Sequence, residues 1–134
     1  MLPKYHAIFG LISSILAYFM LPITLFQASL IFFASFLIDF DHYIWYVYKK
    51  RDFSLKRAYF YLKNKVDKKP HLMIFHTIEF LALIAILAYF IPIFIFILIG
   101  MLFHSILDVI NLSYRNSLNS REFSLIRGLV RIRV

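Results

Sequence analysis

The sequence predicts an all-α integral membrane protein: a four-helix bundle made of two helical hairpins, with a basic amphipathic segment at the membrane interface. Three observations carry that expectation. The 134 residues are 62% hydrophobic and only 16% charged, with a mean hydropathy of +0.77, and a soluble domain of this size has too little interior to hide so much apolar surface. The apolar residues fall in four runs of about 15 to 20 residues, near the length that crosses a bilayer core. All fifteen Lys and Arg residues lie outside those runs. One domain, residues 1–134, accommodates all of this.

The first run, AIFGLISSILAYFML (7–21), is followed by Pro22 and then by the second, ITLFQASLIFFASFLI (23–38). A single helix over both would be about 48 Å long, more than the hydrocarbon core, so the proline marks a tight turn between two helices. The third run (72–91) and the fourth (93–110) are divided by Pro92 in the same way. The halves also match in detail. ILAYF occurs at 15–19 and at 86–90, and His6 and His76 each lie 16 residues before their proline (22 − 6 and 92 − 76). Asp39 and Asp108 follow their prolines by 17 and 16 residues (39 − 22 and 108 − 92). Duplication of one hairpin is one origin of this pattern; chance matching in an apolar alphabet is the other. Ser13, Ser14, Thr24 and Gln27 read as helix-packing polar residues.

Between the halves, the 43–71 loop opens with YIWYVY (43–48), suited to an interfacial aromatic belt. Residues 49–69 carry nine basic and two acidic side chains, and Phe53, Leu55, Ala58, Tyr59, Leu62 and Val66 recur partly at helical spacing. That describes an amphipathic surface helix, with Lys49, Lys50, Arg51, Lys56 and Arg57 facing anionic lipid headgroups. Topological anchoring is its plainer role. The tail, 111–134, is basic, and its end FSLIRGLVRIRV (123–134) alternates basic and apolar residues. The net charge of +8 suits anionic lipid better than nucleic acid in so apolar a chain. By the positive-inside rule both termini and the central loop face the cytoplasm of the cell (inner) membrane. No cleavable signal sequence is expected, because the first run follows only Lys4 and His6 and continues into the second without a small-residue cleavage site. There is no cysteine, which excludes disulfides and thiolate metal sites.

The polar residues gather at the span ends. His6 opens the first; Asp39, Asp41 and His42 close the second; His71, His76 and Glu79 open the third; His104 and Asp108 close the fourth. In an up-down-up-down bundle these ends share one face, so all five histidines and four of the seven acids meet near the cytoplasmic interface. Asp52, Asp67 and Glu122 read as solvated partners of basic residues. His104 and Asp108 are spaced i,i+4, and His76/Glu79 and Asp39/His42 i,i+3, so each pair shares a helix face. Asp41 points elsewhere on an ideal helix, so either the helix ends there or Asp41 stands behind the ligands. His71 follows Pro70, a natural helix start.

Imidazole and carboxylate are the ligand set of zinc, and also of manganese or iron. Nine such groups exceed one tetrahedral ion, so two divalent ions are expected, with His6, Asp39, Asp41, His42, His71, His76, His104 and Asp108 as ligands. Two metals polarise a phosphoryl or carbonyl oxygen and bring the pKa of a bound water to about 7. Glu79, deeper in its apolar run, is the candidate general base, with Asp41 next. The expected activity is metal-dependent hydrolysis of a lipid phosphoester or other ester at the membrane surface. A metal-binding transporter or sensor is the alternative, disfavoured because the far half of each span is nearly bare of ionisable groups. A structural membrane protein with a His/Asp helix interface is a further one. No P-loop, dinucleotide fingerprint or H-E-x-x-H is present.

At these residues the chain resembles the YdjM-like family of LexA-binding, inner-membrane-associated, metal-dependent hydrolases. That pattern starts with a histidine before the first span, matched by His6. Its P-D-x-D-H element is matched by IDFDH (38–42) at Asp39, Asp41 and His42, with Ile38 in place of proline. H-R-x-x-T-H is matched by HLMIFH (71–76) at both histidines, with Leu72 and Phe75 replacing the arginine and threonine. S-H-x-x-x-D-x-x-T is matched by FHSILDVIN (103–111) at His104 and Asp108. The resemblance spans roughly residues 4–111 and implies a metal-dependent membrane hydrolase. Where relatives place the arginine on a substrate phosphate, this chain needs charge from its basic loop.

Overall fold

In a computed structural model, described for residues 3–64, 71–114, 116 and 121–132, the chain is helical apart from one two-residue strand pair. The helices are α1 (Pro3–Met20), α2 (Leu25–Leu37), α3 (Phe40–Lys50), α4 (Leu55–Asn64), α5 (Ile78–Phe90), α6 (Phe94–Tyr114) and α7 (Leu125–Ile132). β1 (His71–Leu72) and β2 (Arg121–Glu122) pair in parallel, and a 3₁₀ turn covers Ile74–His76.

Both prolines fall in tight turns between helices, α1–α2 at Pro22 and α5–α6 at Pro92. Thr24 and Gln27 do not serve interhelical packing. They form a capping box at the start of α2, the Thr24 hydroxyl accepting from the Gln27 amide at 3.2 Å and the Gln27 side chain from the Thr24 amide at 2.8 Å. The second apolar run does not end its helix at Ile38. The Asp39 amide bonds to Phe36 O (3.2 Å) and the His42 amide to Asp39 O (3.0 Å), so one turn tightens and the helix resumes as α3. α3 carries the aromatic stretch to Lys50, and Arg51 stops it in the left-handed conformation (φ 53°). The basic segment is therefore split between the end of α3 and α4, and residues 65–70 lie outside those described.

The third apolar run becomes helical only at Ile78, six residues after Leu72 (78 − 72). Thr77 caps α5, and the preceding stretch is held by the C-terminal segment: His71 pairs with Arg121, Leu72 with Glu122, and the Ile78 amide donates to Phe123 O at 2.9 Å.

α2 is central, packed between α1 and α6; α5 packs on α6. Gly10 on α1 and Gly100 on α6 make the approach to α2 possible. A Cβ on Gly10 would strike the Ser35 side chain, and one on Gly100 the Ile31 carbonyl and the Ser35 amide. Below this crossing Ile38, Ile84 and Met101 form an apolar core flanked by Phe75, Phe80 and Phe94. The outward faces are apolar as well: Phe19, Phe26, Ile86, Phe90, Ile106 and Ile110 are exposed. Two helices, the near-continuous Leu25–Lys50 and Phe94–Tyr114, are long and apolar enough to cross a membrane.

Candidate metal centre

Four buried side chains from three segments meet at one point: Asp39 at the α2–α3 break, His76 at the end of the 3₁₀ turn, and His104 and Asp108 one turn apart on α6. Each is there for a local reason. Asp39 holds the N-cap position of α3, yet its carboxylate makes no capping bond and turns to the centre instead. His76 immediately precedes the Thr77 cap, whose hydroxyl donates to Ile74 O at 2.8 Å and accepts from the Phe80 amide. The tightened turn at Asp39 leaves the Ser35 carbonyl without its usual helical amide, and His104 Nδ1 donates to it at 2.7 Å.

That last bond sets the tautomer. A carbonyl only accepts, so His104 carries its proton on Nδ1 and points an Nε2 lone pair inward. His76 is set likewise, its Nδ1 donating to Asp41 Oδ2 at 3.0 Å. The two Nε2 atoms face each other at 3.1 Å, a separation that either a shared proton or a metal ion between them would satisfy. Around them, Asp39 Oδ1 lies 3.5 Å from each Nε2, and Asp108 Oδ2 lies 3.5 Å from His104 Nε2 and 4.0 Å from His76 Nε2. A tetrahedral zinc with bonds of about 2.0–2.1 Å sets ligand separations of about 3.3 Å. Five edges of 3.1 to 4.0 Å fit that cage with small adjustments. Two neutral imidazoles and two carboxylates leave a buried charge of about −2 that a divalent ion neutralises. This group could hold a metal ion.

The other expected residues surround it in different roles. His6 stacks on His104 (ring centroids 3.9 Å apart) and bonds through Nε2 to the outer oxygen of Asp108 at 3.0 Å, which aims the inner oxygen at the centre. Asp41 Oδ2 accepts both His76 Nδ1 and the Phe75 amide (3.2 Å), completing a carboxylate–histidine pair behind the ligands. His42 is half-buried with Nε2 3.4 Å from Asp39 Oδ1, and Asp41, His42 and His76 form a second close group that shares His76 with the first. The side chain of His71 lies outside the described residues.

Glu79 is placed elsewhere. Its carboxylate accepts from the Ser124 hydroxyl (2.6 Å) and the Leu125 amide (2.8 Å), capping α7. The i,i+3 relation to His76 does not put them on one face, because the helix begins only after His76. Glu122, read as solvated, is buried in the strand pair. Asp67 lies outside the described residues. Among the surface cations, Lys49 stacks over Trp45 (4.7 Å), Lys50 over Tyr61 (5.0 Å) and Arg51 over Tyr48 (5.7 Å), while Arg57 pairs with Asp52 at 2.8 Å and Lys56 is exposed.

Sequence reasoning missed Ser35, Thr77 and Ser124. Ser35 acts through its backbone carbonyl, which has no side-chain signal. Thr77, two residues before an acid and directly after a histidine, carried a readable N-cap signal. In comparisons with known proteins, no family model, no curated protein and no solved structure matches the chain significantly.

Proposed function

We propose that the chain is a membrane-embedded, metal-dependent hydrolase acting on a phosphoester or other ester at the cytoplasmic face of the inner membrane. The inward-facing Nε2 pair of His76 and His104, caged by Asp39 and Asp108, is the observation that carries this reading. Zinc suits this set best. Two ions would have to share His76, and the second would displace its bond to Asp41, so the arrangement favours one ion. A divalent ion supplies Lewis acidity and an activated water. Proton acceptance falls to Asp41 Oδ1 and Asp39 Oδ2, buried oxygens with no other hydrogen-bond partner among the described residues. The resemblance to the YdjM-like hydrolases supports the same reading, since its motif residues supply the cage. The membrane reading, four spans as two hairpins, rests on the outward apolar faces of α1, α2, α5 and α6 and on the exclusion of Lys and Arg from the four apolar runs, 7–21, 23–38, 72–91 and 93–110.

The test is metal analysis of detergent-purified protein beside a hydrolysis screen of p-nitrophenyl phosphate, bis-p-nitrophenyl phosphate and lipid esters. One transition-metal ion per chain is expected, with turnover that chelation removes and zinc restores. Metal without turnover turns the reading to a sensor or transporter, and absence of metal turns it to a structural polar interface. Reporter tags at residues 1, 60 and 134 should all read cytoplasmic; an external signal at 60 overturns the orientation.

A further inference from the structure

α2 and α5 both lie on α6 but hardly touch each other. Between them runs an open groove of about 250 Å³, walled only by apolar side chains, among them Ala34, Ile38, Phe75, Ile84, Ile97 and Met101. Its walls adjoin the centre along the chain. Ile38 and Phe75 are the chain neighbours of Asp39 and His76, and Met101 lies one turn before His104 on α6. Covering apolar walls with hydrocarbon rather than water is favourable by roughly 25 cal/mol per Å², so this groove is a site for hydrocarbon. Its two longest walls belong to helices able to cross a membrane, where the hydrocarbon at hand is a lipid tail.

We propose that this slot holds the hydrocarbon tail of the substrate, and that the first polar group beyond the tail, an acyl ester or a phosphoester, is thereby set at the Asp39–His76–His104–Asp108 cage. The proposal deepens the hydrolase reading and rests on it for the reaction. In that reaction water supplies the hydroxyl that joins the acyl or phosphoryl centre, the ester C–O or P–O bond breaks, and the remaining proton leaves with the alcohol. No basic side chain lines the slot, so recognition comes from tail length and from the cage, not from a charged headgroup pocket.

The test uses the full chain in phosphatidylcholine vesicles containing a palmitoyl lipid with a diazirine at the tail end. After illumination, peptide mapping should find adducts on residues 80–84 and 94–97, as well as on outward residues such as Tyr89. Ile84→Trp and, independently, Ile97→Phe overfill the slot. Each should lower the inner adducts by roughly tenfold or more while the Tyr89 adduct and metal content stay at the parent level. Adducts confined to outward residues, or inner adducts unchanged in whichever variant retains metal, overturn the proposal. A parallel assay compares p-nitrophenyl acetate with palmitate, and methyl phosphate with farnesyl phosphate. The parent should favour the long member of one pair, which separates acyl from phosphoryl chemistry, and the overfilled variants should lose that preference. If no ester turns over, the hydrolase reading fails, and the adduct pattern still decides whether the slot takes a tail.

Discussion

Asp39 and Asp52 are both aspartates at helix ends, and their surroundings use them differently. Asp52, beyond the end of α3, has every oxygen engaged. Oδ2 accepts from the Tyr46 hydroxyl (2.7 Å) and Arg57 Nε (2.8 Å), and Oδ1 accepts from the Ser54 amide (3.0 Å) and Arg57 Nη2 (2.9 Å). Arg57 also cancels its charge. The Tyr46 hydroxyl first, then the Ser54 amide and Arg57, hold the Asp52 carboxyl below its ordinary value against a smaller opposing effect of burial. At the centre the reverse holds: Asp39 Oδ2 and Asp41 Oδ1 are buried with no partner among the described residues, no Lys or Arg belongs to the cluster, and two imidazole Nε2 atoms meet at 3.1 Å. One network is complete in itself. The other is short of positive charge and of donors, the condition a cation corrects. Residue types alone do not separate a structural acid from a ligand; the balance of donors and acceptors around it does.

The largest effect expected from this contrast is at the cage. His104→Ala removes a ligand with its tautomer-setting bond, and metal affinity should fall by more than about 100-fold, beyond what loss of a supporting residue costs. Competition with a chromogenic chelator measures it. Wild-type affinity in that variant would mean that the cage is as self-sufficient as the Asp52 network.

Next come the supports. Asp41→Asn and His6→Phe each leave the four ligands in place and should cost about 10–100-fold in affinity. Asp41→Asn replaces the charged acceptor that sets the His76 tautomer with a neutral, weaker one, and His6→Phe keeps the stack on His104 but removes the bond to the outer oxygen of Asp108. Loss of metal as complete as in His104→Ala would promote either residue to ligand.

Glu79→Gln sharpens the comparison from the other side, since this acid is satisfied by the α7 cap. Metal content and turnover should stay at the parent level, while amide exchange over residues 124–132 accelerates by the several-fold expected when a cap worth about 1 kcal/mol is weakened. Lost turnover with metal retained would return Glu79 to the role of base.

The smallest effect belongs to Asp52→Asn. Because its carboxyl is held below the unfolded value of 3.8, its stabilisation is present above that pH and is lost as pH falls through the lower folded value. The variant should melt with a flatter acid limb below about pH 4, the ordinary carboxyl range, with metal content unchanged. An altered metal content would link the two networks.

Much of the centre was legible from the ends of the apolar runs. Counting which ends share a face is enough to bring Asp39, His76, His104 and Asp108 together, because hairpins with proline turns allow few alternatives. The division of labour among them was not. His6 and Asp41 carry ligand-type side chains but are turned onto other polar atoms, and only the helix break at Asp39 and the 3₁₀ turn before Thr77 decide which atoms point inward. The misplaced role of Glu79 has the same origin: a hydrophobic run from 72 gives no sign that six of its residues are held outside the helix by pairing with residues 121–123. Long-range pairing of that kind leaves no local pattern to read.

His6 and Asp108 are 102 residues apart in the chain and 3.0 Å apart in space. At about 5–20 residues per second, a ribosome makes the second roughly 5–20 s after the first. During that interval the first hairpin carries His6 and one cage residue, Asp39, while His104 and Asp108 do not yet exist. On the proposed reading, metal binding would be a late event in biogenesis, set by completion of α6, and a shortage of the ion would leave completed chains with an unfilled, unlocked cage rather than chains that stop short of folding their hairpins.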